Sequence, residues 1–398
     1  MSSHAEVHSP VGGRLFTRPY LILLAIAALG GIVALYRFVN GIGSVSNLSN
    51  GYPWGIWIAI DVVVGTAIGC GGFAVGLLVY VLNRGKYHPL VRPAVLTSLL
   101  GYGLAVIAVV IDLGRYWGLW KVPIYFWRWS HSPQLEVALC VATYTLVLMV
   151  ELSPALFEKI RDGRGTRGKK LAATGLRAVN KGLPWILALG LLLPTMHQSS
   201  LGTMMLLPGP KVNPLWFTPW LPLFFLVNAI LLGFAVVILE ATFSAHAFGR
   251  KRETAMLASL SKVAAWTAVG WSVFRVAEVA WSGELGLVAS PAGVAFLAEV
   301  GLLLAGALIL LSEKRRGNAT WQVRAAILML LGGALHRVNT YLVAFTPGSN
   351  FTYFPAVPEL LITFGIIAAE LAIYIAVVKR FPILAGVPRE EAKQGALS

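Results

Sequence analysis

One feature recurs ten times along this chain: a stretch of about 20 or more mainly apolar residues, enough to cross a hydrocarbon layer of ~30 Å as a helix. The stretches fall at roughly 18–40, 56–82, 94–116, 133–158, 176–197, 220–244, 260–281, 291–312, 321–345 and 357–379. A backbone in lipid must satisfy its own N–H and C=O groups, so it can only be helical or part of a closed barrel. Barrel strands need only about 9–11 residues, so runs this long read as helices. The expected fold is an all-α membrane protein with about ten transmembrane helices. Only 12% of the 398 residues are charged and 57% are hydrophobic, whereas a soluble domain carries about 25% charged residues. That excludes an ordinary soluble enzyme, a disordered chain and a disulfide scaffold. Cys70 and Cys140 lie inside apolar runs, with no CxxC and no CxxCH. They read as small packing residues. No iron–sulfur cluster and no covalent haem can be built from this chain alone, so an iron–sulfur centre must come from a partner.

No cleavable signal peptide, soluble domain or short repeat is expected, and the longest polar stretch is the loop near Glu158–Lys181. Lys and Arg set the orientation, because basic residues stay on the cytoplasmic side. One alternating set of connections holds Arg14, Arg18, Arg84, Lys86, Arg92, the eight from Lys159 to Lys181, Arg250, Lys251, Arg252, Lys262, Lys314, Arg315, Arg316, Arg324, Lys379, Arg380, Arg389 and Lys393. The other holds only Arg115, Lys121, Arg128 and Lys211. Twenty-five against four places both termini in the cytoplasm. It also accounts for the net charge of +15 without nucleic acid. Nine of the 13 tryptophans (Trp54, Trp57, Trp117, Trp120, Trp127, Trp129, Trp216, Trp220 and Trp281) fall near the opposite face. An interfacial belt explains part of that bias. The excess suggests an outer docking surface.

Ionisable groups in lipid are expensive and therefore point to function. By depth, Arg37, Asp61, Asp112, Glu136, His197, Arg275, Glu278, Glu299, His336 and Arg337 lie in the outer half. Glu151, Glu240 and Glu370 lie deeper. Arg275 and Glu278 are three apart and read as a structural pair. Asp61, Asp112, Glu136 and His197 come from four consecutive spans at one depth. Consecutive helices pack as neighbours, so these four are expected to line a polar pocket under the outer end of a bundle. Such a pocket suits a lipid-soluble molecule that gains and loses protons, such as a quinone. Glu136 and Glu151, ~22 Å apart along one helix, could carry protons, with Glu240 at the depth of Glu151 and Tyr102 beside them. Separate interhelical hydrogen bonds explain the glutamates equally well. The span led by Trp54-Gly55 carries the GxxxG pairs Gly65/Gly69 and Gly72/Gly76, which allow close helix packing. Pro194, followed by five polar side chains from Thr195 to Ser200, is expected to break the fifth helix at the membrane edge. His197 and His336 are the one histidine pair that could flank a haem, and the expectation is a chain without haem and without a metal site.

Several segments then resemble a known family. They are Gly51–Asp61 (GYPWGIWIAID), Asn83–Pro93 (NRGKYHPLVRP), Asp112–Trp117 (DLGRYW), Pro154–Glu158 (PALFE), Leu193–Gly202 (LPTMHQSSLG), Pro214–Trp216 and Tyr341–Phe345. Together they look like the NrfD/polysulfide-reductase (PsrC-like) membrane-subunit family, HybB type, over nearly the whole chain. The resemblance implies a haem-free, quinone-reactive subunit of the bacterial or archaeal cytoplasmic membrane. It implies a periplasmic iron–sulfur subunit docked outside, further catalytic subunits of hydrogenase or sulfur-metabolism type, and menaquinone or ubiquinone as the mobile carrier. The expected layout is one polytopic domain: an extra N-terminal helix at 18–40, a quinone-site bundle at about 56–200 and a second bundle at about 220–380. Asp61, Asp112, His197 and Gln198 are the expected quinone contacts, and Glu136, Glu151, Glu240 and Tyr102 the expected proton carriers. Other members of the family use an amide and a histidine early in the first core helix, where this chain has Asp61. The competing readings are a sulfur-metabolising reductase subunit of the same family, a secondary transporter and a plain membrane anchor. Helices broken near mid-membrane in two matching halves would mark a transporter.

Overall fold

A computed structural model describes residues 8–163, 165–250 and 253–385. The basic residues Arg164, Lys251, Arg252, Arg389 and Lys393 lie outside the described residues. The long helices are α1 (Arg18–Asn40), α2 (Trp57–Val81), α3 (Gly85–Asp112), α4 (Pro133–Gly163), α5 (Thr166–Met204), α6 (Leu221–Ala247), α7 (Thr254–Trp281), α8 (Pro291–Leu311), α9 (Ala319–Val343) and α10 (Val357–Arg380). Among the described residues, nine of these are long and apolar enough to cross a membrane. The exception is α7, where the span expected at 260–281 forms a 28-residue helix that carries Lys262, Arg275 and Glu278. The only β pairing among the described residues is two isolated bridges, Ser9 with Leu384 and Val212 with Phe345.

Sequential helices pack as neighbours. α2–α5 form one group and α6–α9 a second, with α2 and α5 each against α6. α1 and α10 pair with one another and lean on α2 and α3 from the side. Lipid supplies little drive for helix association, so small residues that let backbones approach matter most. At the α1–α10 crossing, a Cβ on Gly30 would stand 2.7 Å from Gly365 Cα and 2.7 Å from Leu361 O, so neither position has room for a side chain. A Cβ on Gly101 of α3 would meet Gly65 O at 3.2 Å and Gly69 Cα at 3.3 Å. The Gly65/Gly69 pair thus seats α3.

Two expectations about α4 and α5 need correcting. The polar stretch near Glu158–Lys181 is mostly helical, because α4 and α5 both run on beyond their apolar parts. Pro194 does not break α5, which continues through Pro184 and Pro194 to Met204. The polar side chains bond the carbonyls of their own helix instead: Thr195 Oγ1 donates to Leu191 O at 2.8 Å, His197 Nδ1 to Leu193 O at 2.7 Å and Ser199 Oγ to Thr195 O at 3.0 Å. Back-bonding of this kind satisfies the polar side chains within the helix, so they need no break and no solvent.

α2 is the irregular helix. It is π-helical over Trp57–Val64 and Leu77–Val81. Such widened turns often sit at functional positions. One of its carbonyls, Val63 O, accepts from Arg337 Nη1 of α9 at 2.9 Å.

Candidate functional site

The first helix group encloses a hydrogen-bonded cluster with no exposed side chain. Leu193 O can only accept, so His197 Nδ1 carries the ring proton of the neutral imidazole and Nε2 is the acceptor. Tyr102 OH donates to that Nε2 at 2.7 Å. Gln198 Nε2 lies 3.2 Å from Thr66 Oγ1, 3.3 Å from Tyr102 OH and 3.0 Å from His197 Nε2. Cys70 Sγ is 3.3 Å from Tyr102 OH and 3.3 Å from Thr66 O. Tyr144 packs edge-on against Tyr102, with ring centroids 4.7 Å apart. Gln198 Oε1 is buried and has no hydrogen-bond partner. α2, α3 and α5 each contribute, and the Gly65–Gly69–Gly101 contact brings α2 and α3 close enough.

A cavity of ≈ 500 Å³ lies on the other side of that glycine contact, between α2, α3, α6 and α10. Gly65 and Gly101 line it, whereas their neighbours Thr66 and Tyr102 belong to the cluster. Asp61, Glu240, Glu370 and Tyr374 also line it. Thr363 Oγ1 of α10 donates to Asp61 Oδ2 at 2.8 Å. Tyr374 OH donates to Glu240 Oε1.

The expected convergence of Asp61, Asp112, Glu136 and His197 is therefore not what forms. Asp61 faces the cavity and α10, away from the His197 cluster. Asp112 ends α3 within the electrostatic reach of Arg37, whose guanidinium donates to Leu113 O. Glu136 is half-buried in the first turn of α4. Depth along the membrane is readable from the sequence, but the direction each side chain takes around its helix is not. Glu151 lies along α4 opposite α5, 4.0 Å from where a Cβ on Gly190 would sit. Of the eight expected site residues, Tyr102, His197 and Gln198 come together, Asp61 and Glu240 share the cavity, and Asp112, Glu136 and Glu151 stand apart from both.

The second helix group has its own polar node. Glu299 accepts from Trp216 Nε1 at 3.2 and 3.1 Å, from His336 Nδ1 at 3.1 Å and from Asn339 Nδ2 at 2.7 Å. His336 Nε2 has no hydrogen-bond partner. Arg275 pairs with Glu278 at 2.7 Å, as its spacing indicates. Arg337 gives Nε to Asn228 Oδ1 at 2.7 Å, Nη1 to Val63 O at 2.9 Å and Nη2 to Phe225 O at 2.7 Å. All three acceptors are neutral.

Nothing in the sequence pattern singles out Thr66, Thr97, Thr363 or Tyr374, and Cys70 reads there as a packing residue. Single hydroxyls and thiols in apolar runs carry no periodic signal. The outer tryptophans also divide. Trp117, Trp120, Trp127, Trp129, Trp220 and Trp281 are exposed, but Trp57 and Trp216 are core residues that bond Glu359 O and Glu299.

Residues 44–345 match the family described as "Polysulphide reductase, NrfD". The chain belongs to that family and is a multi-pass integral membrane protein. It is 39% identical over 384 residues to the "Probable Ni/Fe-hydrogenase 2 b-type cytochrome subunit" of Escherichia coli (strain K12), covering 94% of each chain. It is 29% identical to the "Menaquinone reductase, integral membrane subunit" of Nitratidesulfovibrio vulgaris, over 64% of this chain and 61% of that one. It is 23% identical to a selenate reductase subunit of Mesobacillus selenatarsenatis, over 56% of each. The first of these names corrects the expectation of a chain without haem, because a b-type cytochrome subunit is a haem protein by name.

Proposed function

We propose that the chain is the quinone-reactive membrane subunit of a respiratory oxidoreductase complex, exchanging electrons between a periplasmic iron–sulfur subunit and menaquinone or ubiquinone. The hydrogenase type of complex is favoured by the relative that is 39% identical over nearly its full length. A sulfur- or selenium-compound reductase of the same family is the second reading, supported by the less similar relatives. Membership of a family of reductase subunits speaks against the transporter and plain-anchor readings. With all ten long helices crossing, α7 included, the basic connections put both termini in the cytoplasm. The partner then docks at the tryptophan-rich end.

The observation that carries the reading is the buried Thr66–Gln198–Tyr102–His197–Cys70 cluster. It joins an imidazole acceptor, a phenol donor and an amide oxygen without a partner, all inside lipid-embedded helices. A quinone head needs hydrogen-bond donors at its carbonyls, and its reduction consumes two protons. Gln198 Nε2 is a donor, while the Tyr102 hydroxyl donates to His197. Gln198 Oε1 is free to accept from a quinol hydroxyl. His197 Nε2 is a ring-nitrogen acceptor to which a quinol proton can pass. Glu136, Glu151 and Glu240 remain proposed proton carriers between the cluster and the aqueous faces.

For the haem that the relative's name implies, the fit falls on one residue. His197 has both ring nitrogens engaged. His336 holds Nδ1 against a carboxylate and keeps Nε2 free, which is how a ligating imidazole is usually oriented. His336 would hold the iron, and the group would supply one-electron transfer when bound.

The test is His197→Ala in the assembled complex. Quinone-linked turnover should fall about 10²–10⁴-fold, the usual contribution of a positioned acid–base group. Reduction of an artificial acceptor by the partner's clusters should be unchanged. An unaltered quinone rate would remove the cluster from the mechanism.

A further inference from the structure

The cavity beside α10 shares only Glu240 with the proposal above, and part of its wall lies outside the family match. The match ends at residue 345, and α10 begins at Val357. Ile366 and Ile375 of α10, both in its wall, are ~14 Å apart at 1.5 Å per residue, so the ≈ 500 Å³ form a slot running along the helices. Its walls are mainly aliphatic. Phe243, Ile367 and Leu371 line it and are 55%, 41% and 49% exposed, so it opens sideways where lipid would be.

The slot is also polar at one end. Thr97 and Glu240 line it, and Thr97 Oγ1 and Glu240 Oε2 are buried without a hydrogen-bond partner among the described residues. The other oxygen of Glu240 is taken by Tyr374 OH. Glu240 and Tyr374 lie within about two turns of the basic ends of their helices, and Thr97 lies on the turn after Arg92. Orphaned polar atoms in an apolar wall are costly, and a ligand that bonds them removes the cost. That ligand has a long apolar tail and a compact head able to accept from Thr97 and to pair with a carboxyl group in either protonation state. A quinone carbonyl accepts from the threonine hydroxyl or from a protonated Glu240, and a quinol hydroxyl donates to Glu240 Oε2. A phospholipid fits poorly, because its phosphate would face Asp61, Glu240 and Glu370, and among the described residues no Lys or Arg lines the slot.

We propose that this slot is a binding site for an isoprenoid quinone or quinol, with its head between Thr97 and Glu240 and its tail along α10. The proposal rests on the reading that the protein works with quinone. It adds a site separated from the His197 cluster by the glycine backbone of α2 and α3.

The full chain in lipid nanodiscs should be labelled with a photoreactive azidoquinone carrying a short isoprenoid tail, and the adducts mapped by peptide mass spectrometry. Adducts are expected on α3 near Thr97 and on α10 near Leu371. Leu371→Trp fills the slot and should cut that labelling about tenfold or more, because a packed space does not admit both. Ile367→Trp, one turn away, serves if the first variant does not fold. Thr97→Val keeps the shape and should weaken labelling about threefold to tenfold, one hydrogen bond's worth. His197→Ala should leave slot labelling intact, so loss of turnover in that variant and loss of the slot are read separately. Absence of adducts on α3 and α10, undiminished labelling in a folded tryptophan variant, or recovery of one tightly held phospholipid from the slot would each overturn the proposal.

Discussion

Tyr102 shows what one hydroxyl does in a helix interior. Its ring packs on Tyr144, and only its oxygen meets His197, Gln198 and Cys70. Tyr102→Phe should therefore keep the fold, at a cost of about 1 kcal/mol for the lost hydrogen bond. Quinone-linked turnover should fall while artificial-acceptor activity holds. Thermal unfolding measured beside both assays checks this, and full quinone activity in the variant would remove Tyr102 from the mechanism. Arg337 is the opposite case. Its guanidinium bonds three neutral acceptors from two other helices, so Arg337→Met orphans Asn228 Oδ1 and strips an extra donor from the helical carbonyls of Val63 and Phe225. An orphaned acceptor costs about 1–3 kcal/mol. The variant should fail to accumulate as a monodisperse protein, and normal yield and melting would contradict this account. His8 lies outside the spans, and burial, helped by the nearby Arg92 charge, pushes its pKa down to about 4. The folded state thus holds a neutral ring that the unfolded segment would protonate near 6.5. Stability from this group is fully present above pH 6.5 and is lost as pH falls from there toward 4. The segment it anchors is held by Ser9 N to Leu384 O at 3.2 Å and Val11 N to Val378 O at 3.1 Å. Hydrogen exchange at Val11 and Gly12, corrected for intrinsic rate, should lose protection over that range, and His8→Gln should flatten the response.

Among the elements, the side pair α1–α10 depends on one crossing. Gly365→Leu would drive a side chain into Gly30 Cα, 2.7 Å from an ideal Cβ. Overpacking of this kind costs about 1–3 kcal/mol. The expected result is a lower melting temperature together with weaker azidoquinone labelling of α10, whereas an unchanged melting temperature would mean that the helices separate freely. α5 teaches a different lesson. Pro194 and the polar run after it read as a break because a proline removes a helix donor. The side chains that look like solvent-seeking groups in one dimension turn out to bond the helix's own carbonyls, and the same turn then delivers His197 and Gln198 to α2 and α3.

At the scale of the whole molecule, the charge asymmetry makes a testable statement about orientation. Cys70 and Cys140 are both buried, so a membrane-impermeant maleimide should report only on introduced cysteines. Trp127→Cys should be labelled in intact cells, and Lys170→Cys only after the membrane is opened. The reverse pattern would invert the molecule and move the partner's docking face.

The apolar runs, the basic connections and the recurrent motifs are properties of single segments, and they are enough to define a helical membrane protein of the NrfD family. Lipid imposes these features segment by segment, since each span must satisfy its own backbone and each connection carries its own charge. The grouping of functional side chains is decided between segments. Asp61 and Thr66 are five residues apart on α2, yet one faces the slot with Thr363 and the other faces Gln198. The π-helical turns of Trp57–Val64 alter the azimuth of everything that follows them, and no regular helical period predicts that. Thr363 and Tyr374 meet Asp61 and Glu240 because α10 leans on α2 and α3, with α1 laid flat against it at the Gly30–Gly365 contact. A sequence gives the depth of each group in the membrane through the rise of a helix. Which groups meet at a given depth depends on how helices rotate and cross, and only the packed structure sets that.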